Sequence, residues 1–152
     1  MKLTMTDLTP DDPALVTDVG PLIRTLRPGL DADGFLEFAT AAHRQGLVFT
    51  VAHDPAGRCL GVASHRVLAT SRGRLLFVDD LVTAPAARSA GVGARLFDEL
   101  RERGRRAGCV RIELDTGTGN HGAQRFYHAQ RMNIAALHYA VELDLTDPES
   151  LR

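Results

Sequence analysis

Hydrophobic residues along this chain follow two spacings, one typical of buried strands and one typical of amphipathic helices. The middle of the chain shows both. Residues 75–83 are rich in Leu, Val and Phe and predict a buried strand. The next stretch carries Val92, Leu96, Phe97 and Leu100 on one helical face. A glycine-bearing loop joins the two stretches, so the pattern predicts a strand, a tight loop and a long helix at the centre of the fold.

The same analysis predicts elements before and after this centre. In chain order they are a short first strand, a helix over 13–26 that is bent or broken at Gly20-Pro21, a helix capped by Asp31 or Asp33, strands over 47–52 and 59–68, a strand over 110–115, a helix over 120–130, and a final strand or strand pair over 133–145. Strands interleaved with helices predict a single α/β or α+β domain over 1–152, with a frayed tail after residue 147.

Composition excludes several classes of function. No apolar run approaches the roughly 20 residues of a membrane span, and the N-terminal residues lack the apolar core of a signal peptide, so a cytoplasmic protein without a membrane partner is expected. A net charge of −1 provides no field that attracts nucleic acid. No metal site is expected, because neither Cys59 nor Cys109 belongs to a CxxC pair and no histidines have the HExxH spacing. Both cysteines are expected to be small core residues.

The loop after the central strand has the composition of a phosphate site. Glycines at the start of a helix let the backbone approach a ligand, and the free amides of the first turn favour an anion. A Walker loop does not fit, because Gly93 is followed by Ala94 and Arg95. A dinucleotide-binding fingerprint does not fit either, because Leu96 stands where a third Gly or Ala is required.

Arg88, Gly91 and Gly93 match the pattern Gln/Arg-x-x-Gly-x-Gly/Ala. The chain here resembles the GNAT superfamily of N-acetyltransferases, and the likeness runs from about residue 75 to residue 139, including the pair Phe126-Tyr127. It implies a GNAT-like fold, which is a mixed twisted central sheet with helices on both faces. It also implies that the central strand and its successor, residues 110–115, splay apart around acetyl-CoA.

The resemblance also implies an enzyme that moves an acetyl group from acetyl-CoA directly to a primary amine, with no metal. The residues that would bind acetyl-CoA are Leu81, Val82 and Thr83 through their main chain, Arg88, Ser89, Ala90, Gly91, Val92, Gly93 and Ala94 through their amides, and Asn120 and Tyr127. Asn120 is equally well explained as a plain helix cap. Arg131 stands where the family usually has Gly, which leaves the end of that helix open.

Proton transfer needs a base for the amine and a donor for the leaving thiolate. Asp79 and Asp80 are the expected bases, because two acids in an apolar strand indicate an aqueous cleft; the alternative is pairing with Arg. Neighbouring strand residues face opposite sides, so at most one of them meets the acceptor unless a bulge intervenes. Glu113 and His138 are further candidates for acceptor contact. Tyr127 is the expected donor, against the alternative of a core tyrosine.

Two other functions compete with this one. Gly117-Thr118-Gly119 imitates the cofactor loop of methyltransferases that use S-adenosylmethionine, although Asn120 replaces the expected third glycine. A non-catalytic CoA-binding sensor or scaffold of the same fold is the second alternative. The acceptor is expected to be a cationic amine: a polyamine, an aminoglycoside-like drug, an amino acid or a peptide amine. Homodimers are common in such families, so a second copy is a further candidate partner.

Overall fold

The computed structural model describes residues 1–145 and contains a five-stranded sheet. Its strands stand in chain order: β1 (Thr4–Leu8), β2 (Val48–His53), β3 (Cys59–Thr70), β4 (Gly73–Thr83) and β5 (Arg111–Leu114). The first four strands pair antiparallel, and β5 pairs parallel to β4. The mixed sheet predicted from the sequence is therefore confirmed.

Within residues 1–145 four α-helices accompany the sheet: α1 (Gly20–Leu26), α2 (Ala32–Arg44), α3 (Val92–Arg106) and α4 (His121–Ala129). A π-helical turn (Leu15–Val19) runs directly into α1, so the predicted break at Gly20 appears as a change of helix type. Asp31 is the N-cap of α2, and its carboxylate accepts the Gly34 amide at 2.7 Å. None of these helices is long and apolar enough to span a bilayer.

Helices cover both faces of the sheet, as predicted. On one face α1 and α2 pack on a core that includes Phe35, Phe49 and Val62. On the other face lies α3, because a Cβ on Gly61, the neighbour of Val62, would meet the Leu96 side chain at 3.1 Å. Neighbouring strand residues face opposite sides, so these two contacts identify opposite faces.

The chain forms two compact units, Met1–Asp115 and Thr116–Arg152. The first contains the sheet and α1 to α3. The second contains α4 and, after it, residues without regular secondary structure, and none of its described residues is buried. The single-domain organisation stays a prediction, and the frayed tail after residue 147 lies outside the described residues.

Two sequence expectations are wrong. Residues 133–145 form no strand, because a strand requires a partner for its backbone and alternation in the sequence specifies only the side-chain pattern. Cys59 and Cys109 are only partly buried rather than core residues. Cys59 is the first residue of β3 and packs against the edge of the core, and Cys109 lies in the turn between α3 and β5.

A chain of polar side chains fastens α3 to the sheet. His65 is buried on β3, and its Nε2 lies 2.8 Å from the Thr50 hydroxyl. Thr50 donates to Asp7 at 2.8 Å, so the hydroxyl accepts from the His65 N–H. Arg103 on α3 donates both terminal nitrogens to Asp7, at 2.6 and 2.8 Å. The network needs an ionised Asp7, and a neutral His65 avoids a second buried positive charge near Arg103.

Stability should therefore fall on mild acidification. Burial, and after it the Arg103 guanidinium, lower the pKa of His65 to about 4, against the opposing effect of Asp7, Asp79 and Glu99. Between pH 6.5 and about 4 the unfolded chain binds a proton that the folded chain does not. The free energy of unfolding should lose up to ~3 kcal/mol across this window. Urea unfolding of His65→Gln should show a flatter pH dependence.

The exposed histidine variant His43→Gln is the matched control and should keep the wild-type slope. A His65→Gln slope equal to that of the wild type would mean that other groups cause the acid destabilisation. Asp7 contributes at lower pH. Burial raises its pKa, but the hydrogen bonds from Arg103 and Thr50 outweigh this and leave it below 3.8, so its stabilising effect is lost only as pH falls through that range.

Candidate functional site

A β-bulge interrupts the pairing of β4 with β3. His65 stands opposite Val78 and Ser64 stands opposite Asp80, which leaves Asp79 as the extra residue. The extra residue reverses the inside-outside alternation of β4 at this point. The structure thus contains the bulge that the sequence analysis required for two neighbouring acids to share a face.

Contacts on either side of the bulge show which face the acids share. Asp80 is bonded to Arg27, the residue that ends α1, and Val82 two positions further on belongs to the core beneath α1 and α2. Asp79 is bonded to Arg66. Arg66 follows His65, which faces α3, so Arg66 points to the opposite face. Both carboxylates therefore lie on the face covered by α1 and α2.

The two acids differ in how they are held. Arg66 grips both oxygens of Asp79, with its Nε 3.1 Å from one and a terminal nitrogen 2.6 Å from the other. Arg27 makes a single contact with Asp80 at 3.0 Å, and its own side chain is 60% exposed while that of Asp80 is 10% exposed. Asp80 therefore keeps one oxygen outside this ion pair.

Burial raises the pKa of Asp80 above its ordinary value; Arg27 opposes the rise and Asp79 adds to it. A carboxylate with a raised pKa is a stronger base. The exposed Arg27 pairs only weakly with this carboxylate in water, so it competes little with a proton. Beside the bulge the buried Ser64 hydroxyl has no hydrogen-bond partner within residues 1–145. Asp80 thus combines a raised pKa with one oxygen outside its ion pair, whereas Asp79 is held at both oxygens.

The open edge of β4 begins at the same place. β5 pairs with β4 only as far as Val78, which lies opposite Leu114. From Asp79 to Thr83 the main chain of β4 pairs with β3 alone, among the strands of the described residues. The predicted splay is therefore present, and Leu81, Val82 and Thr83 lie on it. An extended ligand can pair with such an edge as an added strand does.

The predicted anion loop follows β4 and ends at the N-terminus of α3. Gly91 is the N-cap with a φ of +81°, and Ser89 also has a positive φ of +65°. Within residues 1–145 the amides of Val92, Gly93 and Ala94 donate to no backbone acceptor. These are the free donors of a helix's first turn, and they suit an anion.

Two amides of the predicted set are used within the loop itself. The Arg88 amide donates to the Pro85 carbonyl at 3.4 Å, and the Ala90 amide donates to the Ala87 carbonyl at 3.3 Å. A 3₁₀ turn (Pro85–Ala87), which the sequence analysis did not predict, provides both acceptors. The loop therefore offers fewer free donors than the sequence suggested, and they concentrate at the start of α3.

The predicted residues of the second unit lie on α4 and after it. Asn120 caps α4, accepting the Ala123 amide at 3.2 Å. Tyr127 is half-buried, and its ring stacks edge-on against Phe126 with centroids 5.4 Å apart. Arg131 adopts a φ of +65°, and the next amide, that of Met132, bonds the Tyr127 carbonyl. The helix thus ends in the left-handed turn that the family builds with Gly, although the side chain of Arg makes this conformation more costly.

The remaining candidates are engaged or exposed. The Glu113 carboxylate is bonded to Arg72 at 3.1 Å and to Arg111 at 2.9 Å. His138 is exposed in the residues that follow α4. Within residues 1–145 no group of three acidic, histidine or cysteine side chains is arranged to hold a metal ion.

Sequence reasoning missed Arg27 and Arg66. Arg27 lies 53 residues from Asp80 in the chain. A contact of that separation leaves no trace in local periodicity. One indirect signal was present, since two acids in an apolar strand require cationic partners somewhere in the fold.

The model of the acetyltransferase (GNAT) family matches residues 19–132 of this chain. An uncharacterised N-acetyltransferase of Bacillus subtilis, YhdJ, is 32% identical over 109 residues, which are 70% of this chain and 76% of that protein. Glucosamine 6-phosphate N-acetyltransferase of Trypanosoma brucei brucei is 34% identical over 96 residues, 60% of this chain and 65% of that protein.

Solved structures agree on the fold. The aminoglycoside N-acetyltransferase AAC(6')-Iy in complex with CoA superposes with a TM-score of 0.79 over 93% of this chain and 94% of its own, at 17% identity. At that identity the likeness speaks for the arrangement of strands and helices alone.

Proposed function

This chain belongs to the acetyltransferase (GNAT) family and is an acetyl-CoA-dependent N-acetyltransferase, and we propose that it transfers the acetyl group directly to a primary amine of a cationic acceptor. The bulge at Asp79 carries the proposal, because it sets two carboxylates beside the open edge of β4. Membership of this family removes the methyltransferase alternative.

The described residues suit the binding of acetyl-CoA at two places. The first-turn amides of α3 would hold the pyrophosphate, supported by Gly91 and its left-handed conformation. The pantetheine arm would pair with the open main chain at Leu81, Val82 and Thr83, as an added strand does. A backbone amide at this edge can also polarise the acetyl carbonyl, where negative charge develops during attack.

Proton transfer would divide between Asp80 and Tyr127. An alkylammonium with a pKa near ~10.4 must lose a proton before its nitrogen attacks, and Asp80 would accept it directly or through water. The nitrogen then bonds to the acetyl carbon, the carbon–sulfur bond breaks, and the thiolate takes a proton from the Tyr127 hydroxyl. The attacking nitrogen loses its second proton as the amide forms; this proton passes through water to the Tyr127 phenolate, and Asp80 releases the first proton to solvent.

The acidic pair also supports the class of acceptor. Asp80 keeps one carboxylate oxygen outside its ion pair that could accept an ammonium group, and the named relatives include enzymes for glucosamine 6-phosphate and for aminoglycosides. A screen of amines for release of free thiol from acetyl-CoA tests the proposal. Turnover should appear with one or more cationic primary amines. Tight CoA binding without turnover on any amine would favour the sensor or scaffold alternative.

The phosphate loop can be tested by Gly91→Val. A Cβ at Gly91 meets no atom within 4 Å, so the substitution acts through its φ of +81°, which a β-branched residue resists. Shifting the N-cap should misalign the first-turn amides and weaken CoA binding about tenfold or more, as calorimetry would show.

Gly57→Val is the matched control. Gly57 has a φ of +82°, is equally free of neighbours and lies between β2 and β3. Both variants should lose similar stability, on the order of 1–3 kcal/mol, while only Gly91→Val loses CoA affinity. Equal CoA affinity in the two folded variants would contradict the loop assignment.

The base can be identified with Asp80→Asn and Asp79→Asn. Loss of the base should lower kcat/KM by ~10²–10⁴-fold for Asp80→Asn and far less for Asp79→Asn. Because the pKa of Asp80 is raised, the wild-type rate should begin to fall on acidification at a higher pH than an aspartate of ordinary pKa would cause. Arg27→Gln, which keeps the carboxylate and removes its cation, should move this acid limb to higher pH.

If both asparagine variants keep the wild-type rate with the best amine, neither acid is the base and Glu113 is the next residue to test. A larger loss for Asp79→Asn would reverse the two roles.

Tyr127→Phe tests the proton donor. The change keeps the ring and its contact with Phe126 and removes only the hydroxyl. We expect a lower kcat with little change in the KM for acetyl-CoA or in the melting temperature. Tyr139→Phe, at the other tyrosine of the chain, removes the same group from a residue that is 85% exposed and should be neutral. Full kcat for Tyr127→Phe, with chemistry shown to limit the rate, would make Tyr127 a packing residue.

A further inference from the structure

The charges beside the bulge of β4 balance one another. Asp79 and Asp80 contribute two negative charges, and Arg66 and Arg27 contribute two positive charges. Burial raises the pKa of Asp80, and of its charged neighbours Arg27 opposes the rise while Asp79 adds to it. These four side chains together are neutral, so they provide no net field that would attract a polycation.

Within this balanced set both signs of charge keep free hydrogen-bonding groups. Arg66 and Asp79 are committed to each other through two hydrogen bonds. Asp80 keeps one oxygen outside its ion pair, where an ammonium group can bind. Arg27 has five N–H groups, of which one donates to Asp80 at 3.0 Å and one to the Leu26 carbonyl at 3.2 Å. Among the contacts of residues 1–145, three N–H groups of Arg27 thus remain for an anion.

The fold fixes where the Arg27 guanidinium stands. Its amide donates to the carbonyls of Ile23 and Arg24, each at 3.2 Å, and its carbonyl accepts the Leu30 amide at 3.0 Å. The two side-chain hydrogen bonds, one to its own helix and one to Asp80, orient the planar group. At least 60% of this side chain is exposed in the first unit taken by itself. A guanidinium placed in this way can bind a carboxylate or a phosphate through two parallel hydrogen bonds.

We propose that the acceptor carries an anionic group, a carboxylate or a phosphate, close to its primary amine. The ammonium group binds the open oxygen of Asp80, and the anionic group binds the open N–H groups of Arg27. Because Asp80 and Arg27 are themselves in contact, hydrogen bonds of ~2.8 Å to both leave room for only a few covalent bonds between the amine nitrogen and the anion. This inference rests on the proposed function, since it narrows the acceptor of the same site.

The second attachment matters most after the proton has moved. Once Asp80 has taken the proton, the amine is neutral and no longer attracted to it, although its nitrogen must now attack the acetyl carbon. An anion bound to Arg27 keeps the nitrogen in place for this step. The same anion also becomes the counterion of Arg27, whose own partner has just been neutralised. Arg27 takes no proton and is a specificity-determining residue.

Matched pairs of acceptors test this inference. Amino acids are compared with their amides, and aminoalkyl phosphates with the corresponding amino alcohols, at a pH above the acid limb of the rate. For the best pair the anionic member should have a kcat/KM about 10–100-fold higher, because a charge-assisted hydrogen bond contributes on that scale. The difference should lie mainly in KM, since the contact also forms with the bound substrate. The two kinds of pair distinguish a carboxylate from a phosphate.

Arg27→Gln removes the cation and should abolish most of this preference. Dividing the wild-type ratio of kcat/KM values by the ratio for the variant cancels the intrinsic reactivity of the two amines. Arg105→Gln is the matched control, because it removes an arginine that is 73% exposed at the far end of α3, and it should keep the wild-type ratio. Far-UV circular dichroism and melting curves establish that both variants fold.

Three results would overturn the proposal. A rate loss in Arg27→Gln that is equal for both members of a pair would mean that Arg27 acts only on the basicity of Asp80. Turnover restricted to amines without an anionic group, such as polyamines, would refute the anion contact and leave the proposed acetyl transfer intact. Absence of turnover with every amine would overturn the proposed function and this inference together.

Discussion

One extra residue in β4 determines the arrangement of the site. Without the bulge at Asp79, regular alternation would place Asp79 and Asp80 on opposite faces of the sheet. With it, both face α1 and α2, and the same point marks where β5 stops pairing with β4. The acids and the open main chain therefore occur together because of one local irregularity.

Two arginines offset the cost of placing both carboxylates on this face of the sheet. Carboxylates in a half-buried strand carry a desolvation penalty that an ion pair must offset. Arg66 offsets the penalty for Asp79 with two hydrogen bonds, one to each carboxylate oxygen. The more exposed Arg27 makes a single contact with Asp80 and offsets less of its penalty. The difference gives two neighbouring residues of the same type different basicity. It is a case in which the environment, not the residue, assigns the role.

Local signals were sufficient for most of the fold and for the loop. Periodicity located every strand of the sheet to within a few residues, and the glycines marked the start of α3, because both are short-range consequences of backbone geometry. Contacts between distant positions could not be predicted from local patterns. The bulge depends on the register between β4 and β3, and Arg27 contacts Asp80 from another element. The prediction of a strand over residues 133–145 was wrong for a related reason. Alternation was recognised in the sequence, but alternation does not show whether another strand pairs with the segment.

The polar chain from His65 to Arg103 gives the four arginines near the end of α3 unequal freedom to vary. Arg105 and Arg106 make contacts of 3.8–3.9 Å with carboxylates on their own helix, which a lysine can replace, whereas the Arg101 guanidinium also lies 4.8 Å over the Phe97 ring. Arg103 instead holds Asp7 with two nitrogens, a geometry that the single ammonium of lysine cannot reproduce. Surface redesign of this helix for solubility or crystallisation thus has two positions open to exchange, Arg105 and Arg106, and one, Arg103, that should be left as it is.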